Sequence, residues 1–147
     1  MLKSFKIVVA ALALLVVSQL ASADPFKLTA SATSITPPVF DNNGHMFLTA
    51  SGSGSATHMG NITFVAPHDF NLITGTYVSD AYVSAANGDV LHIIGLGQFI
   101  NAVDSVTTWT IVGGTGRFVN ATGSGTGINL NFGQSITYTG NVFGIID

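Results

Sequence analysis

The segment that most constrains the fold covers residues 111–123 and reads Ile-Val-Gly-Gly-Thr-Gly-Arg-Phe-Val-Asn-Ala-Thr-Gly. It starts as a β-like run and continues through closely spaced glycines. A dinucleotide-binding loop needs the pattern G-x-G-x-x-G followed by a helix. Here Val119 takes the place of the third glycine, and no helical periodicity follows. A phosphate-binding loop is excluded too, because no Gly-Lys-Ser/Thr occurs. The segment predicts a corner at the rim of a β-structure.

The residues of this corner have separate predicted roles. Two adjacent glycines permit a tight turn, an aromatic ring plugs the end of the β-structure, and a later glycine lets the next strand bend. We predict residues 116–121 to form one short turn. The structural motif consists of Gly113, Gly114, Gly116, Phe118 and Gly123.

The N-terminus has the three parts of an export signal. Lys3 and Lys6 are basic, residues 7–17 are apolar, and Ala21-Ser22-Ala23 is a small-residue cleavage site. The alternative is a membrane anchor, but the apolar run is shorter than the roughly 20 residues that span a bilayer. We therefore expect residues 1–23 to be removed. Residues 24–147 would form a single domain that is secreted, either periplasmic or extracellular, with no membrane partner after cleavage.

Composition narrows the possible partners. The chain has 7 acidic residues against 4 Lys and Arg, and Arg117 is its only arginine. With so few cations it cannot neutralise a run of phosphates, so we expect no nucleic-acid partner. Charged residues are only 7% of the chain, so Thr, Ser, Asn and Gly must cover the surface, which leaves room for self-association. Cysteine is absent, which excludes thiolate metal sites and cysteine nucleophiles.

Period-two alternation dominates the rest of the chain and predicts strands. Asn87-Gly88 is a strong hairpin signal, and further turns are predicted at 41–44, 67–69 and 113–114. Pro37-Pro38 predicts a loop after an N-terminal edge strand. The expected fold is all-β, an eight-stranded antiparallel up-and-down barrel following the signal peptide, with a sandwich and an outer-membrane barrel as alternatives. The predicted strands are roughly 26–34, 46–57, 61–66, 73–84, 89–99, 105–112, 122–132 and 135–143.

Three blocks carry a family resemblance. The motif Ile-Val-Gly-Gly-Thr-Gly-Arg-Phe-x-x-Ala-x-Gly resembles that of dirigent proteins, and Gly-Asp-Val-Leu-His-Ile-Ile-Gly at 88–95 is similar to the strand preceding it in that family. Together with Ala-Thr-His-Met-Gly at 56–60, these blocks resemble small secreted bacterial proteins of unknown function in the allene oxide cyclase-like barrel superfamily. The resemblance covers roughly residues 50–143. It implies an eight-stranded barrel with an apolar lumen, often a homotrimer.

The chain departs from both named activities. Allene oxide cyclases rely on a glutamate in the lumen, and this chain has no Glu. Dirigent proteins carry an arginine just before the last glycine of the motif, where Thr122 stands here. The resemblance therefore implies a fold and carries neither reaction over.

Catalytic candidates are few. Asp80 shares a strand face with Val78 and Tyr82, so it is either a carboxylate with a raised pKa on an apolar face or a solvent-facing residue. His58 lies in one of the resembling blocks, and His92 interrupts an apolar run. Each histidine has the simpler interpretation of a loop or hydrogen-bonded strand residue. No His pair has metal-ligand spacing, so we predict neither a metal nor a cofactor.

Three functions remain open at this stage. The leading hypothesis is non-covalent binding of a small apolar or aromatic molecule in the lumen, with Trp109, Tyr82 and Arg117 as ligand contacts. The second is a dirigent- or cyclase-like enzyme that uses Asp80, His58 or His92 as acid and base. The third is a structural, self-associating surface protein with a packed lumen.

Overall fold

The computed structural model describes residues 25–130 and 136–145, and the side chains of 26–129. The signal-peptide prediction for residues 1–23 lies outside these ranges. The described chain is all-β and antiparallel, as predicted. Its strands are β1 Pro25–Ser34, β2 Val39–Phe40, β3 His45–Ala56, β4 Gly60–Asn71, β5 Thr76–Ala85, β6 Val90–Phe99, β7 Ser105–Gly114, β8 Thr122–Leu130 and β9 Ile136–Ile145.

All nine strands belong to one curled sheet. From β3 to β9 each strand pairs with its neighbour in sequence, and β1 pairs with β9. β1 also pairs with β3 through seven residue pairs from Leu28–Ala56 to Ser34–Ala50. β1 is therefore paired on both sides, and the prediction of an N-terminal edge strand is wrong.

Two predicted turns fall elsewhere. Pro67, His68 and Asp69 were expected to turn but lie within β4. β4 pairs with β5 on either side of Ala66 and Pro67 but not at them, because proline has no N–H to give to that ladder. Gly113 and Gly114 end β7, and the turn comes later, as a 3-10 turn at Gly116–Phe118 within the predicted 116–121. No helix in the described part of the chain is long and apolar enough to cross a bilayer.

The core lies on the concave face of the sheet. Alternate residues of the strands point inward, so the period-two pattern places every second side chain in one cluster. The larger members include Phe26, Leu28, Phe64, Leu91, Ile93, Trp109, Ile111 and Phe118.

The contact between β1 and β3 requires small residues. Ala30 and Ala32 of β1 lie opposite Gly54 and Gly52 of β3. A Cβ on Gly52 would overlap the carbonyl oxygen of Ser31, and one on Gly54 would overlap the backbone of Ala30. The two strands therefore approach more closely than side chains would allow.

The connections fall at two opposite ends of the sheet, because consecutive strands are antiparallel. We call one end the crown; it carries segments 35–44, 72–75 and 100–104. We call the other the corner end; it carries segments 57–59, 86–89 and 115–121. Phe118 is fully buried at the corner end, and Arg117 Nε lies 3.6 Å from Asp89 Oδ2 there.

We predict that Gly54→Ala destabilises the fold by roughly 1–3 kcal/mol, because the added methyl group has no space against the backbone of β1. Urea unfolding measures this as a lower midpoint. Ser53→Ala is the matched control, since Ser53 is exposed on the same strand. Equal midpoints for the two variants would contradict the close β1–β3 contact.

Candidate functional site

The concave face encloses a cavity of about 40 Å³. Its wall is mostly apolar, with Trp109, Phe64 and Ile93 among its larger side chains. That volume holds a few water molecules, whereas a cavity that takes up benzene is about 150 Å³. An aromatic ligand would therefore enter only if a side chain such as Trp109 moved.

The crown end of this cavity is polar. The Tyr77 hydroxyl lies 2.8 Å from Ser105 Oγ and 2.6 Å from Thr107 Oγ1. Asn129 Nδ2 donates to the Tyr77 oxygen at 2.5 Å and to Thr107 Oγ1 at 2.8 Å. All four side chains are buried, so three strands, β5, β7 and β8, contribute to one polar cluster inside the sheet.

One atom of this cluster has no hydrogen-bond partner. Asn129 is 1% exposed, and its Oδ1 is a buried acceptor with no protein donor. Exchanging the amide O and N would leave a donor unsatisfied instead. A buried polar atom without a partner is destabilising by about 1–3 kcal/mol. Asn129 also lines the cavity, so the unsatisfied atom belongs to a side chain of the cavity wall.

His68 is the histidine in the cavity wall. It is 3% exposed, and its Nδ1 donates to the carbonyl of Ala66 at 2.7 Å. Its ring stacks on Phe70, with 5.4 Å between ring centroids. Burial lowers the pKa of His68 to about 4, only partly opposed by the bond to Ala66. The imidazole is therefore neutral near pH 7.

The outer face carries two histidine–aspartate pairs. His92 Nε2 donates to Asp80 Oδ1 at 2.5 Å, and the ring of His92 stacks on that of Tyr82 at 4.5 Å. The Tyr82 hydroxyl donates to Asp80 Oδ2 at 3.1 Å, and this bond raises the pKa of Tyr82.

The second pair joins neighbouring strands near the crown. His45 Nδ1 lies 2.6 Å from Asp69 Oδ1. That hydrogen bond raises the pKa of His45. Both pairs are partly exposed, so each connects two strands on a solvent-accessible surface.

The structure separates the residues that the sequence proposed as a site. Trp109 lines the cavity. Tyr82, Asp80 and His92 come together, but on the outer face, where Asp80 has the solvent-facing placement. His58 is exposed in the β3–β4 turn at a φ of 65°. Arg117 lies at the corner end beside Asp89, with its guanidinium 4.8 Å from the centre of the Phe118 ring.

Sequence reasoning missed the polar end of the cavity. Tyr77, Thr107 and Asn129 lie at inward-facing positions of three neighbouring strands. Period-two alternation predicts which residues share a face, but it does not predict that polar side chains will cluster on the buried one. The turn predicted at 67–69 placed His68 in a loop, so its inward-facing position on a strand was not predicted. Within the described residues, no three His or Asp side chains converge as a metal site would require.

Comparison with known proteins finds no matching family model, no similar curated protein and no similar solved structure.

We predict that stability falls by up to about 3 kcal/mol as the pH drops from 6.5 to 4. The unfolded chain binds a proton at His68 near its ordinary pKa of 6.5, whereas the folded chain does so only near 4. Urea unfolding across this range measures the loss, and His68→Leu should remove most of the slope. His45 acts in the opposite direction, since its raised pKa favours the folded state at low pH. An equal slope in wild type and His68→Leu would contradict the burial of a neutral imidazole.

Proposed function

We propose that this protein is an exported, non-catalytic β-barrel that binds one small molecule non-covalently on its concave face. The unsatisfied amide atom of Asn129, which lines a mostly apolar cavity, is the observation that carries the proposal. Small-molecule sites typically combine apolar walls with a few placed polar groups. The allene oxide cyclase-like resemblance supports the same interpretation.

The proposal includes a complete eight-stranded up-and-down barrel. Its support is the double pairing of β1, with β9 on one side and β3 on the other. A closed barrel of this size has an interior that side chains fill or that holds one small ligand.

The cavity limits the chemistry of the ligand. The apolar part of the ligand would contact Trp109 and Ile93, and one polar atom would bond to the amide of Asn129. A charged ligand is disfavoured, because the wall offers no ionised partner while His68 is neutral. The volume favours a molecule of a few non-hydrogen atoms. A larger aromatic ligand requires Trp109 to rotate out of the wall.

The enzyme alternative rests on one observation, the contact between His92 and Asp80. Such a pair can hold and transfer a proton. It lies on the outer face, so it would act on a substrate bound outside the cavity. Asp80→Asn and His92→Ala should therefore leave binding on the concave face unchanged.

The outer face supports self-association as a second property of the barrel. Val78 lies opposite Leu96, and Val106 lies opposite Ile128, and all four are exposed. Exposed apolar side chains grouped on neighbouring strands are typical of interfaces. We propose a homo-oligomer that associates through this surface, and the trimer remains the number implied by the resemblance.

Native mass spectrometry of the protein purified from its own source tests the binding proposal. We predict a discrete added mass of small-molecule size, which also gives the number of subunits. A clean mass on the wild type would contradict ligand binding and favour a packed, structural barrel.

Gly95→Ala provides the matched variant. A Cβ at this position would lie 3.1 Å from Thr107 Cγ2 and 3.7 Å from Trp109 Cδ1, so it fills the cavity with only a small adjustment of its neighbours. We predict loss of the added mass in Gly95→Ala and its retention in Thr110→Ala, an exposed position on β7. Trp109 is the only tryptophan, so its fluorescence reports whether each variant keeps the native core. Retention of the added mass in a folded Gly95→Ala would place the ligand elsewhere.

A further inference from the structure

The crown carries a concentration of large apolar side chains that contact solvent. Ile73 is 79% exposed at the tip of the β4–β5 turn, and Phe40 and Ile100 are each 61% exposed on the flanking segments. The loops of the corner end differ in this respect. Among their described residues, Val119 is the one large apolar side chain as exposed as those of the crown, at 60%. The apolar crown residues are Ile35, Val39, Phe40, Leu72, Ile73, Ile100 and Val103.

Side-chain oxygens hold the backbone of each crown loop. Asp41 Oδ1 accepts from the N–H groups of Asn43 at 2.9 Å and His45 at 2.8 Å. Asn71 Oδ1 accepts from the N–H groups of Ile73 and Thr74, each at 3.0 Å. These loops are therefore fixed turns that present their apolar residues outward.

The third loop repeats the arrangement. Asn101 Oδ1 accepts from the N–H groups of Val103 and Asp104, each at 2.8 Å. In all three loops these amides bond within the protein and do not require water. A loop that enters an apolar medium must satisfy its backbone in this way, because an unpaired amide there is strongly destabilising.

The charges around the crown narrow the choice of partner. Asp41 and Asp104 lie on its loops, whereas Lys27 and Arg117 lie toward the corner end, beside Thr57 and Asp89. A second crown facing this one would bring carboxylates together, and an anionic lipid surface would be repelled. A choline headgroup presents its cation outermost, so the crown carboxylates complement it.

We propose that the crown docks on a membrane surface of zwitterionic choline lipids by inserting Phe40, Ile73 and Ile100 below the headgroups. The sequence prediction of no membrane partner considered spanning segments, which the shallow insertion of loop tips does not need. The docking surface is separate from the cavity, so membrane docking and ligand binding can be tested independently of each other.

Co-sedimentation with vesicles of pure phosphatidylcholine tests the docking. The protein used should be shown by mass spectrometry to have lost residues 7–17, because that apolar run would itself bind lipid. We predict that wild type sediments with the vesicles. Replacing part of the phosphatidylcholine with phosphatidylserine should weaken binding at low salt and less so at high salt.

The decisive variant is Phe40→Ser combined with Ile73→Ser and Ile100→Ser. Each lost apolar side chain should weaken partitioning about tenfold or more, so the triple variant should no longer sediment. Val119→Ser is the matched control and should bind like wild type. Circular dichroism and Trp109 fluorescence check that the triple variant remains folded.

Two results would overturn the proposal. One is a folded triple variant that sediments like wild type. The other is wild-type protein that stays in solution with the vesicles. If that wild type self-associates without lipid and the triple variant does not, the crown is an interface between copies instead.

Discussion

The pairing of β1 with β3 is the constraint on which the rest of the sheet depends. Without it, both strands would expose a row of unpaired N–H and C=O groups, and the concave face would open to water. The approach is possible because Gly52 and Gly54 lie opposite alanines. A strip of very small residues therefore sets the curvature of the sheet, while the large aromatic side chains fill the space that this curvature encloses.

The enclosed space divides into an apolar part and a polar part. Toward the corner end, aromatic and aliphatic side chains such as Phe26 and Phe118 pack around the end of the sheet. Toward the crown, Tyr77, Thr107 and Asn129 satisfy one another almost completely. A network with one atom unsatisfied is less stable than an apolar core, so its presence on the concave face of a small curled sheet favours a role in binding over a role in packing.

Much of the fold could be predicted from the sequence, because alternation and turn residues are local signals. The Asn87-Gly88 hairpin fixed the register of β5 and β6, and that register places Tyr82 opposite His92, so their contact was within reach of sequence reasoning. Pro67 led to the wrong prediction of a turn at 67–69, because a short stretch of a strand that does not pair with its neighbour can accommodate a proline. The position of Asn129 beside Tyr77 depends on curvature across several strands, and no local pattern encodes that.

Hydrogen exchange of the backbone amides tests the central claim, that β1 and β3 close the sheet. The account predicts that amides of residues 28–34 and 50–56 that point across this contact exchange as slowly as those shared by β6 and β7. Exchange at those positions as fast as in the exposed turns would show two free edges, and both the barrel and its enclosed site would have to be abandoned.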